Sequence, residues 1–321
     1  MQQGPTPQFI TCDPRMRLLL EQMRRAAPAP VPVLILGESG VGKEIAARLL
    51  HLWSARRGPF VPVNAASLGG DLAESALFGH ARGAFTGAER RGEGFVEAAS
   101  RGTLFLDEIG ELGYGAQARL LRFLDRGEYV PLGETAARRS DARVVAATNL
   151  DLAAETAEGR FRADLYYRLA GLVFRIPPLR ERPCDIIPIA RYLLARTAGD
   201  LGFPAARLSP SAARALHAYH WPGNVRQLRN ELVGAVIGKG GGTIEASDLS
   251  SEVAESADAA PQPRTLDERI RRAEKLEILE ALRRTASNCS RAAELLGLRR
   301  TTLIYRMRRH GIVLRERDEG S

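Results

Sequence analysis

The 321-residue sequence predicts an α/β fold, a parallel sheet flanked by helices, followed by a small helical unit and a C-terminal all-α domain. Three observations carry that expectation. The apolar run 31–36 breaks into a glycine-rich turn ending in Lys43, and helical spacing follows over 45–52, which gives strand, loop and helix in succession. Later apolar runs at 60–64, 101–108 and 143–149 each end in polar side chains, as strands of an open α/β sheet do where ligand-binding groups collect. Beyond Pro177-Pro178 strands give way to helical periodicity, broken by a polar stretch at 250–264.

Composition bounds the class. An apolar content of 45% over this length supports two or three cores and excludes a disordered chain. No basic-then-apolar leader is present, and no apolar run approaches the roughly 18 residues needed to span a bilayer. A cytoplasmic protein with no membrane partner is expected. Cys12, Cys184 and Cys289 are few and far apart, so neither a disulfide framework nor a zinc site is expected and they read as reduced and incidental. The net charge of +8 permits an acidic polymer as partner. Lysine occurs only at 43, 239 and 275, which makes its presence in the glycine-rich turn more telling.

In Gly37-Glu38-Ser39-Gly40-Val41-Gly42-Lys43-Glu44 the glycines allow close backbone approach, and N–H groups at the following helix start would face a triphosphate that Lys43 reaches. Glu44 stands where a hydroxyl usually meets magnesium. Before this turn, positions 15–26 read as an amphipathic helix stopped by Pro28, Pro30 and Pro32. Asn64, at the end of the second strand, is either a site residue or the cap of the next turn. The stretch 77–88 has no periodicity; its glycines suit a projecting loop whose Phe85 is either tucked inward or exposed for a partner. Asp107 and Glu108 end a buried strand, so their side chains diverge: Asp107 would hold Mg2+, directly or through water, and Glu108 would polarise an attacking water.

Residues 114–126 read as an amphipathic helix, and Thr148 and Asn149 at the end of the next strand are placed to sense a γ-phosphate. Arg162 and Arg168 flank a short helix, as salt-bridge partners or as stabilisers of transition-state charge. A last strand at 172–176 precedes helices at 186–197, 209–219 and 224–238, with Asn224 the expected N-cap of the third and Arg226 near enough to reach back to a nucleotide. After the linker at 250–264, an apolar stripe runs through Leu266, Ile270, Ala273, Leu276, Leu279 and Leu282 as domain core or dimer seam. Helix, Gly297 turn and a basic helix follow, with 14 Lys and Arg against 9 Asp and Glu over 265–321.

Together these motifs closely resemble the bacterial enhancer-binding proteins, the NtrC family of AAA+ activators of σ54, over 8–248 for the ATPase and 265–314 for a Fis-type helix-turn-helix. Family members commonly carry an acid at the position of Glu44. The hallmark Gly83-Ala84-Phe85-Thr86-Gly87-Ala88 stands intact, and by resemblance Phe85 and Thr86 contact σ54. The resemblance further implies Lys43 on the phosphates, Asp107 on magnesium, Glu108 on water, and Asn64 as a switch restraining Glu108. It implies Thr148 and Asn149 as first sensor, Arg226 as second sensor, and Arg162 and Arg168 as fingers acting on a neighbour in a ring hexamer.

Arg299, Arg300, Thr301, Thr302, Tyr305, Arg306 and Arg309 are the expected DNA-binding set. The implied division is an AAA+ α/β subdomain at 1–176, a lid at 177–249, a linker at 250–264 and the DNA-binding domain at 265–321. Implied ligands and partners are ATP, Mg2+, σ54 RNA polymerase holoenzyme, a double-stranded DNA enhancer and copies of the chain, from dimer to hexamer. Met1 lies close to the ATPase segment, so the expected type lacks an N-terminal regulatory domain; a regulator acting in trans, control by abundance, or a sequence cut from a longer protein would each account for this. Rival readings are another AAA+ remodeller or an ATP-switched repressor. The segment Pro131-Leu132-Gly133-Glu134 stands where Arg-Val-Gly-Gly is frequent, so a second pore loop is expected to differ.

Overall fold

The structure, a computed structural model, describes residues 8–69, 71–85, 88–256, 274, 277, 278, 280–282, 285, 288–298, 300–309 and 312. The chain divides into two compact units, Met1–Ala257 and Asp258–Ser321.

In the first unit α1 (Pro14–Ala26) leads into β1 (Val33–Leu36), α2 (Lys43–Trp53), β2 (Phe60–Asn64), α3 (Asp71–Phe78), α4 (Phe95–Ala98), β3 (Thr103–Asp107) and α5 (Tyr114–Arg126). A two-residue antiparallel pair, β4 (Glu128–Tyr129) and β5 (Arg138–Arg139), precedes β6 (Arg143–Thr148), α6 (Leu152–Ala157), α7 (Ala163–Leu169) and β7 (Leu172–Arg175). Five strands form one parallel sheet in the order β2-β3-β6-β1-β7. Alternation along the strands feeds two cores: Leu34, Leu104, Leu106, Val144 and Ala146 face one helical layer, while Val33, Ile35, Phe105, Val145 and Ala147 face the other. Register aligns the strand ends, with Leu36 beside Thr148 and Asn64 beside Asp107, so the polar termini of separate strands meet along one edge.

The lid packs α8 (Ile186–Asp200), α9 (Pro210–Ala218), α10 (Asn224–Lys239) and α11 (Ser251–Ser256), with a short parallel pair β8 (Arg207–Leu208) and β9 (Thr243–Ile244). Trp221 fills its centre, fully buried, and donates Nε1–H to the Leu216 carbonyl at 2.8 Å. Ser209 caps α9, its Oγ accepting from Ala212 N at 3.1 Å. Ser209→Ala should therefore cost about 1 kcal/mol, read from urea melts of the chain.

Two expectations are corrected here. Residues 251–256, assigned to the linker for want of large apolar groups, form α11 because Val253 is buried in the lid core and Ser250 binds Glu231 through its N–H and hydroxyl. Residues 257–264 lie outside the described set. Asn224 does not cap α10; Gly223 holds that place, and Asn224, at φ 51°, turns its amide toward the glycine-rich loop.

In the second unit α12 (Cys289–Leu295) and α13 (Arg300–Arg309) are joined through Gly297 at φ 65°. Asn288 caps α12 by accepting from Ser290 N and Arg291 N. Ile278, Ala281 and Leu282 pack with Ala292, Ala293, Leu303 and Met307 as a core of the unit's own. Of the expected stripe only Leu282 is described, and it is buried in that core.

Candidate active site

The glycine-rich turn crosses from β1 to α2, held first by Gly37 N–H on the Thr148 carbonyl at 3.3 Å. Gly42 caps α2 at φ 107°, a conformation that favours glycine, with the Phe9 ring packed against it. Lys43 is buried to 6% exposure and donates to the carbonyls of Gly37 at 3.0 Å and Glu38 at 3.4 Å. Its Nζ also lies 3.5 Å from Glu108 Oε1, so the sheet edge brings two predicted site residues into an ion pair. Glu108 sits at φ 52°, left-handed and strained for a side-chain-bearing residue, directly after β3. Its second oxygen accepts from Asn149 N at 3.3 Å. Burial, and then the neighbouring Glu108 charge, raise the pKa of Asp107 above the usual carboxylate value.

Thr148 is fully buried and accepts from Leu150 N, so it positions the Asn149 backbone. Asn64 caps the following turn, its Oδ1 accepting from Ala66 N at 3.0 Å; of the two readings left open for it, this arrangement displays the cap. Glu44 is engaged by Arg48 one turn along α2, at 2.7 Å.

The lid closes over this edge through contacts that local sequence spacing does not signal. Glu38 pairs with Arg180 through both oxygens, at 2.6 and 2.8 Å, and accepts from Asn224 Nδ2 at 3.1 Å. These two partners, Arg180 foremost, hold the Glu38 carboxyl below the usual glutamate pKa. Asn224 also donates to the Ser39 carbonyl, Val225 N–H binds the Gly40 carbonyl at 3.0 Å, and Arg226 reaches Ser39 Oγ at 2.7 Å. A Cβ at Gly40 would lie 2.5 Å from the Gly223 carbonyl oxygen, so the loop and the start of α10 touch backbone to backbone. Between them opens a cleft of about 800 Å3 lined by Phe9, Ile10, Lys43, Asp107, Glu108 and Arg226 among others. Such a concave, mixed apolar and charged space suits a nucleotide-sized ligand.

Arg162 and Arg168 do not line this cleft. Arg162 pairs with Asp164 through both guanidinium donors and lies over the Tyr114 ring at 5.3 Å, while Arg168 binds the Leu124 carbonyl and Asp125. Phe85 is 38% exposed and meets the His80 ring edge-on at 5.0 Å, so of the two positions left open for it the ring takes the exposed one. Its loop is closed by Gly83 N–H on the Ala88 carbonyl, and Gly133 packs against Ala84 at the base. The departing segment 131–134 thus braces this loop, with Leu132 N–H on the Gly79 carbonyl and Ala81 N–H on the Leu132 carbonyl. Thr86 and Gly87 lie outside the described residues.

On α13, Arg300, Thr301 and Tyr305 are exposed, while Thr302 and Arg306 are half-buried. Arg306 is held by Glu274 at 2.8 Å. Arg299 and the Arg309 side chain lie outside the described set. Among the described residues no helix is long and apolar enough to cross a membrane.

Residues 9–175 match the family described as the Sigma-54 interaction domain, 180–266 the AAA+ ATPase lid domain and 269–310 the bacterial regulatory proteins of the Fis family. The chain is 43% identical over 305 residues to the alginate biosynthesis transcriptional regulatory protein AlgB of Pseudomonas aeruginosa, covering 93% of this chain and 66% of that one. It is 44% identical to the transcriptional regulatory protein ZraR of Klebsiella oxytoca over 95% of this chain and 70% of that one. The Nif-specific regulatory protein of Azotobacter vinelandii matches at 43%, with 59% of its length spanned. Crystal structures of NtrX from Brucella abortus superpose with TM-scores of 0.71 in complex with ADP and 0.70 with ATP, at 32% and 31% identity. They cover 96% and 97% of this chain and 70% of theirs. A phosphate-cradle edge closed by a helical lid, a separate helix-turn-helix, and these matches along the same residues agree: the chain belongs to the sigma-54-interacting AAA+ transcriptional regulators with a Fis-type DNA-binding domain.

Proposed function

We propose that the chain hydrolyses ATP as a ring oligomer bound to upstream DNA, and that hydrolysis remodels the closed σ54 RNA polymerase complex into an open one. The observation that carries this is the joint placement of Lys43, Asp107 and Glu108 on one cleft edge and of a half-exposed Phe85 loop on the same α/β layer. Backbone N–H groups at the start of α2 and Lys43 bind the phosphates. Glu108, strained and held by Asn149 N–H, takes the proton of an attacking water. Asn64 and the sensor pair Thr148 and Asn149 set when Glu108 is free to do so.

Burial first, and then the neighbouring Glu108 charge, disfavour the ionised form of Asp107; a divalent cation bound there would offset both, and carboxylate oxygens fit magnesium. Bound there, Mg2+ would offset phosphate charge; Glu44 is the further carboxylate near the turn, although Arg48 engages it. Arg162 and Arg168 stand away from their own cleft, which supports action on a neighbour's nucleotide and therefore a ring. Arg226 and the Glu38 contacts transmit nucleotide state to the lid.

DNA binding falls to Arg299, Arg300, Thr301, Thr302, Tyr305, Arg306 and Arg309, with Arg300, Thr301 and Tyr305 already presented to solvent. Arg300→Ala should weaken binding to its site and flatten the salt dependence by about one counterion, measured by titrations at several salt concentrations. An unchanged slope would remove Arg300 from the interface.

Single-round transcription on closed and premelted σ54 promoters, with and without hydrolysable ATP, tests the whole reading. Activity on the closed template only with hydrolysis is the expected result. Thr86→Ala should hydrolyse ATP at the parent rate yet form no open complexes. Full activation by that variant would remove the loop from the mechanism.

A further inference from the structure

Cys12 and Cys184, read from sequence as incidental, are brought together where the lid begins. Cys12 directly precedes Asp13, the cap of α1, and Cys184 lies in the single tight turn Pro183–Asp185. Cys12 Sγ donates to the Cys184 carbonyl at 2.7 Å and lies 3.3 Å from Asp185 Oδ1, on which Cys184 Sγ also donates at 3.7 Å. The two sulfurs and a carboxylate oxygen of Asp185 all fall within 4.8 Å of one another. Asp185, fully buried, fastens the segments by accepting from Thr11 Oγ1 at 2.8 Å, Cys12 N at 2.6 Å and Asp13 N at 3.1 Å.

Two thiols and a carboxylate could also suggest a metal ion, but the surroundings oppose one. Asp185 is already occupied by five donor groups, counting both thiols, and the buried Arg182 guanidinium stands 3.6 Å away as a permanent positive charge. Joining the sulfurs to each other adds no charge.

We propose that Cys12 and Cys184 are a redox-convertible thiol pair whose disulfide ties the segment ahead of α1 to the first turn of the lid. Cys184 is exposed and meets an oxidant first, whereas Cys12 is half-buried. Burial, with hydrogen bonds to Cys184 and Asp185, pushes the Cys12 thiol up to about 12, so it stays protonated until a partner sulfur is activated. With a peroxide as oxidant, Cys184 Sγ attacks one peroxide oxygen; the S–O bond forms, the O–O bond breaks, and the thiol proton leaves with the displaced oxygen as water. Cys12 Sγ then attacks the sulfenic sulfur, its proton passing by way of Asp185 to the departing hydroxide. Two thiols and one peroxide give one disulfide and two waters.

The tied segment spans both walls of the cleft: Phe9 packs on the sheet core and against Gly42, and Ile10 packs on the lid core. Cross-linking it to the lid restricts cleft opening and slows nucleotide release. That consequence rests on the nucleotide reading of the cleft; the thiol chemistry does not.

The full chain carrying Cys289→Ser is treated with hydrogen peroxide, alkylated, digested without reduction and weighed. The expected product joins the Cys12 and Cys184 peptides at a mass lighter by two hydrogens, and Cys12→Ser or Cys184→Ser abolishes it. A fluorescent ADP analogue should leave the oxidised protein severalfold more slowly, with recovery after dithiothreitol and no change in Cys184→Ser. Thiols that stay fully alkylatable, oxidation that stops at a Cys184 sulfinic acid, or stoichiometric zinc protecting both sulfurs would overturn the pair. Unchanged release from protein with a confirmed linkage would overturn the effect on the cleft. Reduced protein that takes up no analogue would count against the nucleotide site, while the linked peptide would still establish the pair.

Discussion

Glu108→Gln should bind ATP as the parent does and hydrolyse it about a hundredfold to ten-thousandfold more slowly, the range a positioned general base supplies. Glutamine keeps the length of the side chain and can still accept the Asn149 N–H that glutamate accepts at 3.3 Å. What it loses is the charge that faces Lys43 at 3.5 Å and the capacity to take a proton from water. Phosphate release and binding of a fluorescent ATP analogue, measured on the same preparation, separate the two effects. Turnover within severalfold of the parent would remove Glu108 from the chemistry. Asp107→Asn serves as the contrast: if this carboxylate holds the cation, its loss should weaken magnesium dependence as well as turnover.

Asp185→Ala should destabilise the chain by about 3–5 kcal/mol, the cost of leaving a buried charge without its partner. Arg182 and Asp185 are both fully buried. Arg182 keeps one hydrogen bond, Nη2 on the Val41 carbonyl at 2.9 Å, while Nε and Nη1 have none. Burial already lowers the arginine pKa, with Asp185 the first of the charges opposing that shift. Arg182→Met should cost less, because Asp185 would retain donors from Thr11, Cys12 and Asp13. Urea denaturation of both variants reads the asymmetry. Equal losses, or an Asp185→Ala loss below about 1 kcal/mol, would mean that Arg182 finds water once its partner is gone.

Local spacing made the sheet legible. The start of β2 at Phe60 and the span of α5 from Tyr114 to Arg126 were readable because period and flanking turns are written within a few residues. The polar strand ends were readable for the same reason; they carry Asp107, Glu108, Thr148 and Asn149 to the edge where α2 begins with Lys43. The lid contacts on that edge were not. Glu38 meets Arg180 across 142 residues and Asn224 across 186, a pairing set by how the lid core packs and not by any local pattern. Asn224 misled because asparagine before a helix ordinarily caps it, whereas here a left-handed backbone turns the amide toward Ser39. Cys12 and Cys184 were set aside as few, far apart and odd in number with Cys289, yet a separation of 172 residues says nothing once both segments meet on Asp185.

The backbone contact at Gly40 bears on how mutants of this chain should be interpreted by geneticists. Any side chain there must displace the Gly223 carbonyl, 2.5 Å from the added carbon, and the Arg226 Cβ at 3.0 Å, as well as adopt φ 77°. A Gly40 allele would therefore pry the lid from the loop before any phosphate arrived. Its phenotype would mimic a nucleotide-binding defect although the Lys43 side chain was intact, and a second-site suppressor in the lid would reveal where the lesion lies.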